Sequence, residues 1–512
     1  MSNNPSPKQS SLTRKTIVGA EWLLLWRIVT RSLGFVSTLI LARLLLPSDF
    51  GLIAMATTFS YGIEAFSQLG LQEALIRRRE EGLDLHHTAF TMQVGRALTT
   101  GLMIAAGAPA AGWWFSEPRL VTVVLVLAGL TALNGLENVG IVEYRRAMRF
   151  DVQFRLMSVP RLAGFVVTVG CALVWRSYWA LLAGMLVYSA VRVAMSYWLH
   201  PFRPRLRLVR WRELARFSFW TWAAALASLV WDRCDPFVLG PAFGTAKLGL
   251  YLMAMQIAWL PMTELVAPAA EALFAAFSRA QKDGAASLHL APEVAGIVLL
   301  GVAPVVLTLS AASGPIVEVL LGSKWVEAWP IVAMLSWAGI FSPFSFICSM
   351  ALVANGDVRR NFVARVIVSA VKLAALLGAV SLTSDPIVIA AVTASCVAVE
   401  SVTFFTFLLH GKGSTRLRQA TGNLARVMLA TGFAAAIVNW SGLGWHPGGG
   451  STGVNLTRGF LIAGMSTGVF GLVVLLSWQV AGRPEGAEKR LSRMAWAWFE
   501  GFRASRSFGY GR

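Results

Sequence analysis

The sequence predicts an all-α integral membrane protein of about fourteen transmembrane helices, and three observations predict it. Of its 512 residues, 56% are hydrophobic and only 14% charged, with a mean hydropathy of +0.61. That is too little charge to keep a soluble chain of this length dispersed. Apolar runs near twenty residues recur along the chain with short connections between them, the length an α-helix needs to cross roughly 30 Å of hydrocarbon. Lysine and arginine gather at alternate connections, as cytoplasmic loops do.

The elements follow in order. Residues 1–15 are polar, with Lys8, Arg14 and Lys15, and form an expected cytoplasmic tail. The apolar stretch from Thr16 to Leu46 is too long for a signal core, so no cleavable signal is expected. Spans are predicted at 17–46, 50–70, 89–113, 119–140, 157–175 and 178–199. They continue at 215–240, 246–278, 291–320, 326–354, 361–383 and 386–410, and end with 423–442 and 458–480. The first is longer than a crossing requires and is expected to tilt or protrude. Pro261 and Pro268 should bend or break the span 246–278. Trp113/Trp114, Trp175/Trp179, Trp325/Trp329 and Trp440/Trp445 are read as anchors at outer ends, Trp198 and Trp211 at inner ones. Stacking on a sugar is the alternative for one or two of them.

Of the 45 lysines and arginines, 33 fall at connections that would be cytoplasmic, 5 at the opposite ones and 7 inside spans. This bias sets the expected topology, with both termini cytoplasmic. It also argues that the net charge of +19 reflects membrane orientation and not a nucleic-acid partner.

The chain looks duplicated. Phe50-Gly51-Leu52-Ile53-Ala54-Met55-Ala56 is matched by Leu248-Gly249-Leu250-Tyr251-Leu252-Met253-Ala254, an offset of 198; Arg149 and Arg155 are matched by Arg359 and Arg365, an offset of 210. Two six-helix lobes in parallel repeat are expected, at 16–210 and 211–410. Two further helices lie within 411–482, followed by a basic cytoplasmic tail, 483–512. Parallel repeats of this kind build transporters with a site between the halves.

The charges inside the spans carry the functional reading. A cation at mid-membrane costs roughly 3 kcal/mol, so it should face a cavity or a partner. Arg27, Thr30, Arg31, Gly34, Ser37 and Thr38 share a stripe of about 120° on the first span. Thr57, Tyr61, Glu64 and Gln68 do the same on the second. Arg96, Arg192, Arg233 and Lys372 add cations to later spans, and Asp232, Asp235, Glu264, Glu271 and Glu400 add carboxylates. One reading is a hydrated basic vestibule for an anionic headgroup, since guanidinium offers paired planar donors to phosphate. The bland reading is mutual pairing, for instance Arg27 or Arg31 with Glu64, that only holds the bundle. Arg43 reads as a snorkelling anchor, a role open to Arg96 and Arg192 too. Candidate substrate-binding residues are therefore Arg27, Arg31, Arg96, Arg192, Arg233 and Lys372. Glu64, Asp235 and Glu264 are candidates for coupling to a proton or sodium, because carboxylates near helix breaks can hold cations. Structural pairing within Asp232-Arg233-Cys234-Asp235 is the alternative.

No cofactor is expected. Cys171, Cys234, Cys348 and Cys396 are widely spaced in apolar surroundings, without a zinc or redox pattern. Paired catalytic carboxylates, cysteine–histidine nucleophile sets and phosphate-cradling glycine loops are not seen in the sequence. The longest predicted outer connection, 441–457, holds the lone His446, read as a plain surface residue. The rival class, a membrane glycosyltransferase or polysaccharide polymerase, is therefore disfavoured.

Several stretches resemble a known family. Leu41-Ala42-Arg43-Leu44-Leu45-Leu46-Pro47-Ser48-Asp49-Phe50-Gly51 is similar to the first-helix signature of Wzx-like polysaccharide (O-antigen type) flippases of the multidrug/oligosaccharidyl-lipid/polysaccharide exporter superfamily. Leu69-Gly70-Leu71-Gln72-Glu73-Ala74-Leu75-Ile76-Arg77-Arg78 resembles the segment that follows. Asp235, Gly240, Gly244 and Leu248-Gly249-Leu250-Tyr251, then Leu260-Pro261 and Phe274, Phe277 and Ser278, fit the second half. The Cys234 neighbourhood departs from the small polar residues usual there. The resemblance covers roughly residues 15–410. It implies a V-shaped, two-lobed flippase of the bacterial cytoplasmic (inner) membrane. Such a protein moves an undecaprenyl-pyrophosphate-linked oligosaccharide from inner to outer leaflet by alternating access, using luminal cations. Arg27 and Arg31 match the kind of position the resemblance implies. Expected partners are that lipid-linked oligosaccharide, membrane lipids, a coupling ion and other polysaccharide assembly proteins. The alternatives within the superfamily are a drug/cation antiporter and a peptidoglycan-precursor flippase.

Overall fold

The computed structural model describes residue 26 and residues 29–67, 83–147, 149–209, 219–267, 290–409, 415–482 and 488–489. Among these all regular structure is helical. Among the described residues, seven helices are long and apolar enough to cross a membrane, or eight if one bent pair is a single span. Helical crossings satisfy every backbone N–H and C=O within the segment, which hydrocarbon demands. Large apolar side chains such as Leu102 (72% exposed), Val174 (78%) and Phe460 (76%) point outward, as they should where the solvent is lipid. The chain is a multi-pass membrane protein.

The chain divides into two compact units, Met1–Gly249 and Leu250–Arg512. In the first, α1 (residues 29–44) gives way to α2 (Pro47–Ser67) at a tight turn. Pro47 opens α2, where an absent N–H costs nothing. Asp49 holds the turn: Leu46 N donates to Oδ2 at 3.0 Å and Tyr178 N to Oδ1 at 3.2 Å. This carboxylate, only 8% exposed, ties the α1–α2 turn to the start of a helix 129 positions away. Then come α3 (Leu83–Trp114), α4 (Arg119–Asn134), α5 (Phe150–Trp175) and α6 (Trp179–Leu199). Between α4 and α5 lies a short stretch of 3-10 and α turns, Val139–Ile141 and Val142–Arg146.

Next, α7 (Phe219–Ala258) is broken at Gly244, whose φ of 69° and ψ of 179° suit glycine alone. The expected gap between spans at 240 and 246 falls on this residue. Within the first unit, Trp114 stacks on Phe237 at 5.4 Å, and Gly240 lies against Phe115. The two duplicated motif glycines also meet. A Cβ at Gly51 would stand 1.8 Å from the Thr245 carbonyl oxygen, and one at Gly249 would stand 1.9 Å from that of Pro47. Only hydrogen at both positions lets the two backbones approach so closely.

In the second unit a turn of π-helix, Met262–Val266, follows Pro261, the bend expected there; Pro268 lies outside the described residues. The predicted span 291–320 is two helices, α8 (Leu290–Ala311) and α9 (Ser313–Leu321). The break precedes Gly314-Pro315, where Gly314 abuts the His446 carbonyl. The predicted span 326–354 opens with 3-10 turns over Ser323–Ala328. It continues as α10 (Trp329–Ser336) and α11 (Ala338–Ala354), with a 44° bend between them. Helices α12 (Val358–Leu382), α13 (Pro386–Leu409), α14 (Thr415–Trp440) and α15 (Thr452–Val480) complete the unit. The last two pack on α8.

Trp325 corrects one expectation. It is fully buried and is the largest such side chain, so it packs in the core instead of anchoring an outer end. Trp445 likewise turns inward, its Nε1 donating to Ser310 Oγ at 3.2 Å. Trp113, Trp175, Trp198 and Trp440 are exposed at helix ends, where an interface anchor belongs.

Candidate functional site

The polar stripe of α1 meets a cavity of about 120 Å³ inside the first unit, several times the roughly 10–15 Å³ a single water needs. Trp26 and Thr30 line one wall, Gln153, Met157 and Arg161 of α5 another, and Tyr188 and Arg192 of α6 a third. Glu137 and Tyr144, from the α4–α5 connection, close it. Gln153, Met157 and Arg161 share a face because they recur at four-residue spacing. Gly34 clears the way for Arg161, since a Cβ there would sit 3.2 Å from Nη2. Thr30 Oγ1 donates back to the Trp26 carbonyl at 2.7 Å.

Arg192 is partly engaged. Its Nε donates to Glu137 Oε1 at 3.0 Å and its Nη1 approaches the Tyr188 hydroxyl at 3.3 Å. That leaves three of its five N–H donors. It is therefore held in a defined pair within the unit, which narrows the snorkelling alternative. Arg161 makes no ion pair or hydrogen bond among the described residues.

A second polar group lies on α2. The Arg233 guanidinium sits over the Tyr61 ring at 4.8 Å, a cation–π contact in which the ring quadrupole attracts the charge. One turn further, Glu64 Oε1 accepts from Thr131 Oγ1 at 2.6 Å. Glu64 has no ion pair among the described residues, so pairing with Arg31 does not account for it. Arg31 itself is half-buried on α1, and Arg27 lies outside the described residues. Arg96 is half-buried on α3, without an ion pair among the described residues. Asp235 is buried at 1% exposure beside Cys234, whose Sγ is 3.8 Å from Oδ2.

Lys372 and Glu264 belong to the second unit and are described there alone. Lys372, 5% exposed, stands two turns along α12 from Arg365, which is paired with Glu400 at 2.6 Å. Arg365 also covers the Phe404 ring at 5.0 Å. Glu400 feels the charge of Lys372 as well, so Lys372 belongs to the same buried charge cluster as Arg365 and Glu400. Glu264 lies on the π-turn with its carboxylate exposed, 3.3 Å from Thr263 Oγ1. The described residues hold no group of three His, Cys, Asp or Glu side chains fit for a metal.

Sequence reasoning did not single out Arg161 within the predicted span 157–175. It is an α5 residue in the cavity wall, and its spacing from Gln153 and Met157 was the available signal. Trp26 was missed because nothing local distinguishes a cavity-lining indole from any other apolar residue.

The family model described as "Polysaccharide biosynthesis protein" matches residues 40–330. The succinoglycan biosynthesis transport protein ExoT of Rhizobium meliloti (strain 1021) is 28% identical over 361 residues, 69% of this chain and 72% of that one. The lipopolysaccharide biosynthesis protein WzxC of Escherichia coli (strain K12) is 25% identical over 366 residues, with 69% and 72% covered. Among solved structures, the lipid II flippase MurJ in an inward closed conformation is similar in fold, with a TM-score of 0.67 at 13% identity, over 87% of this chain and 98% of that one.

Proposed function

This chain belongs to the polysaccharide biosynthesis protein family, and from that membership we propose that it is a flippase for a lipid-linked oligosaccharide. The substrate is an oligosaccharide on undecaprenyl pyrophosphate, carried from the inner to the outer leaflet of the cytoplasmic membrane for surface polysaccharide assembly. Its relatives, a succinoglycan transport protein and a lipopolysaccharide biosynthesis protein, support that reading over drug export. The observation that carries it is a polar interior in a bundle whose outer faces are apolar. Arg192 with Glu137, Arg233 with Tyr61 and Glu64 with Thr131 pair polar groups with one another on helices that also expose leucines and valines. Polar groups at membrane depth persist only where they serve a path or a partner.

In this reading fourteen helices cross the membrane, as two lobes of six and two more at the end, with both termini cytoplasmic. The basic residues Arg27, Arg31, Arg96, Arg192 and Arg233 face the passage for the anionic headgroup. Lys372 serves the second lobe in the same sense. Glu64, Asp235 and Glu264 exchange the coupling ion. The chemistry is transport without bond making.

Deleting the gene tests this. The expected result is loss of one surface glycan and accumulation of its lipid-linked repeat on the inner leaflet. Unchanged surface glycans together with raised drug sensitivity would replace the flippase with an antiporter.

A further inference from the structure

The connection that leaves α6 is an extended strap laid on the start of α3. His200, just past the last turn of α6, has φ −118° and ψ 129°, and residues 201–208 run on without helix or turn. Every second backbone N–H is answered by an α3 side chain. Arg205 N donates to His87 Nδ1 at 2.9 Å, Arg207 N to Thr91 Oγ1 at 2.8 Å and Val209 N to Thr88 Oγ1 at 3.4 Å. A period of two is that of a strand, whose successive side chains point to opposite sides. Thr91 falls just inside the predicted span 89–113, so the strap lies where hydrocarbon gives way to headgroups. Water is scarce at that depth, and backbone donors need such partners. The side chains suit the same depth. Leu206 is 70% exposed, Leu208 59% and Val209 65%, and Trp198 at the nearby end of α6 is 77% exposed. Arg203, Arg205 and Arg207 are exposed too, and the stretch 200–209 carries no carboxylate of its own. Arg207 is 3.7 Å from Asp84 in a pair more than half exposed on both sides; Arg205 makes no ion pair among the described residues.

We propose that this strap is a docking surface for the anionic phospholipids of the inner leaflet, with Arg205 and Arg207 on their headgroups and Leu206, Leu208 and Val209 in the outermost acyl region. The proposal rests on the topology given above, which puts the connection after the sixth span on the cytoplasmic side, and not on the substrate carried. Three exposed apolar side chains alone would suit any lipid; the arginines alternating with them select a negative headgroup. Guanidinium offers such a headgroup paired donors. Arg203 has less to offer, because its Nη1 already donates to the His200 and Phe202 carbonyls at 2.8 and 3.1 Å. Pinning the backbone to α3 sets this alternation before lipid arrives, so less ordering entropy opposes the contact. An acidic segment of another protein would answer the arginines, but the depth of the strap and its bare leucines favour lipid.

The test needs a local readout, since other basic connections also attract anionic lipid. Full-length protein with Leu206→Cys carries a polarity-sensitive dye there, in nanodiscs where phosphatidylglycerol progressively replaces phosphatidylcholine. Cys171→Ala is included because the other three native cysteines are buried. Dye emission should shift to the blue as phosphatidylglycerol rises. Arg205→Gln or Arg207→Gln is expected to raise the phosphatidylglycerol fraction at half-shift about fivefold. The double glutamine variant should abolish the shift, and the double lysine variant should keep most of it. Added salt should weaken it. The same emission in pure phosphatidylcholine, or a shift untouched by the double glutamine variant, would overturn the lipid contact. So would a shift seen only in native membranes, which would assign the strap to a protein partner. The side is read separately, by reacting Leu206→Cys with an impermeant maleimide in spheroplasts and in inside-out vesicles. Labelling of inside-out vesicles alone is expected. Labelling of spheroplasts would overturn the topology and the inner-leaflet assignment together, whereas a lost lipid response with labelling confined to inside-out vesicles removes the contact alone.

Discussion

Replacing Gly51 by alanine tests how the motif glycines hold the first unit together. The new Cβ would lie 1.8 Å from the Thr245 carbonyl oxygen, 2.7 Å from its carbon and 3.1 Å from Gly249 N. Ordinary contact needs a carbon–oxygen separation of about 3.3–3.6 Å, so α2 and the segment 245–249 must part by roughly 1.5 Å. All three obstructing atoms are backbone, which no rotamer change can relieve. Overpacking of this kind costs about 1–3 kcal/mol, and the upper half of that range applies where backbone must move. The helical gain of alanine over glycine, roughly 0.5–1 kcal/mol, offsets part of it. Gly249→Ala drives its Cβ to 1.9 Å from the Pro47 carbonyl oxygen and should cost a similar amount. Because one separation relieves both clashes, the double variant should lose less than the sum of the two. The control is Gly62→Ala in the same helix, where nothing lies within 4 Å. The assay is thermal unfolding of the purified protein in detergent. On the scale of soluble domains, 2 kcal/mol corresponds to about 4–8 °C. Equal midpoints for Gly51→Ala and Gly62→Ala, or strict additivity in the double variant, would refute the close crossing.

Three further outcomes follow from the same geometry. Asp49→Ala removes the acceptor for Leu46 N and Tyr178 N, and should cost about 1–3 kcal/mol by leaving buried donors unmet; limited proteolysis at the α1–α2 and α5–α6 turns would report it, and Asp49→Asn should recover part. Glu400→Ala removes the carboxylate paired with Arg365 at 2.6 Å in the second unit and should cost about 3–5 kcal/mol, read as lost yield and a lower midpoint, while the paired change Glu400→Leu with Arg365→Leu should recover much of it. His87, ahead of the apolar run of α3, accepts from Arg205 N through Nδ1 at 2.9 Å. Burial, then the Arg207 and Arg205 charges, hold its pKa below the usual histidine value. Its folded pKa is depressed, so the neutral form is favoured on folding. The stabilisation is present above the ordinary histidine pKa and fades as pH falls towards the folded one. Protection factors of amides in the segment 203–209, corrected for intrinsic exchange, should therefore fall on acidification from pH 7.5 to 5 in the parent and lose that pH dependence in His87→Ala; an unchanged profile would reject the contact.

Much of the fold is legible in the sequence because a membrane helix is a local object. Run length, flanking tryptophans and proline positions act within the segment, so the spans 361–383 and 386–410 correspond closely to α12 and α13. The interruption at 240–246 was visible for the same reason, as Gly244 sits between two apolar runs. The break at Ala312 was not, since there the Ala311 carbonyl accepts from Trp445 N of the distant 441–457 connection at 2.9 Å. The polar stripe of α1 was legible by periodicity, and Thr30 does line a cavity.

The sequence by itself determined that this is a helical membrane protein with polar stripes on some spans, and it marked Gly51 and Gly249 as equivalent. It did so because apolar length and 3.6-residue periodicity follow from the bilayer and the helix, without reference to neighbours. Only the tertiary structure decided that these two glycines touch, that Glu64 answers Thr131, that Trp325 lies in the core, and that Arg161 and Trp26 open on one chamber. Those outcomes turn on which helix face meets which, and residues far apart in the chain settle that together.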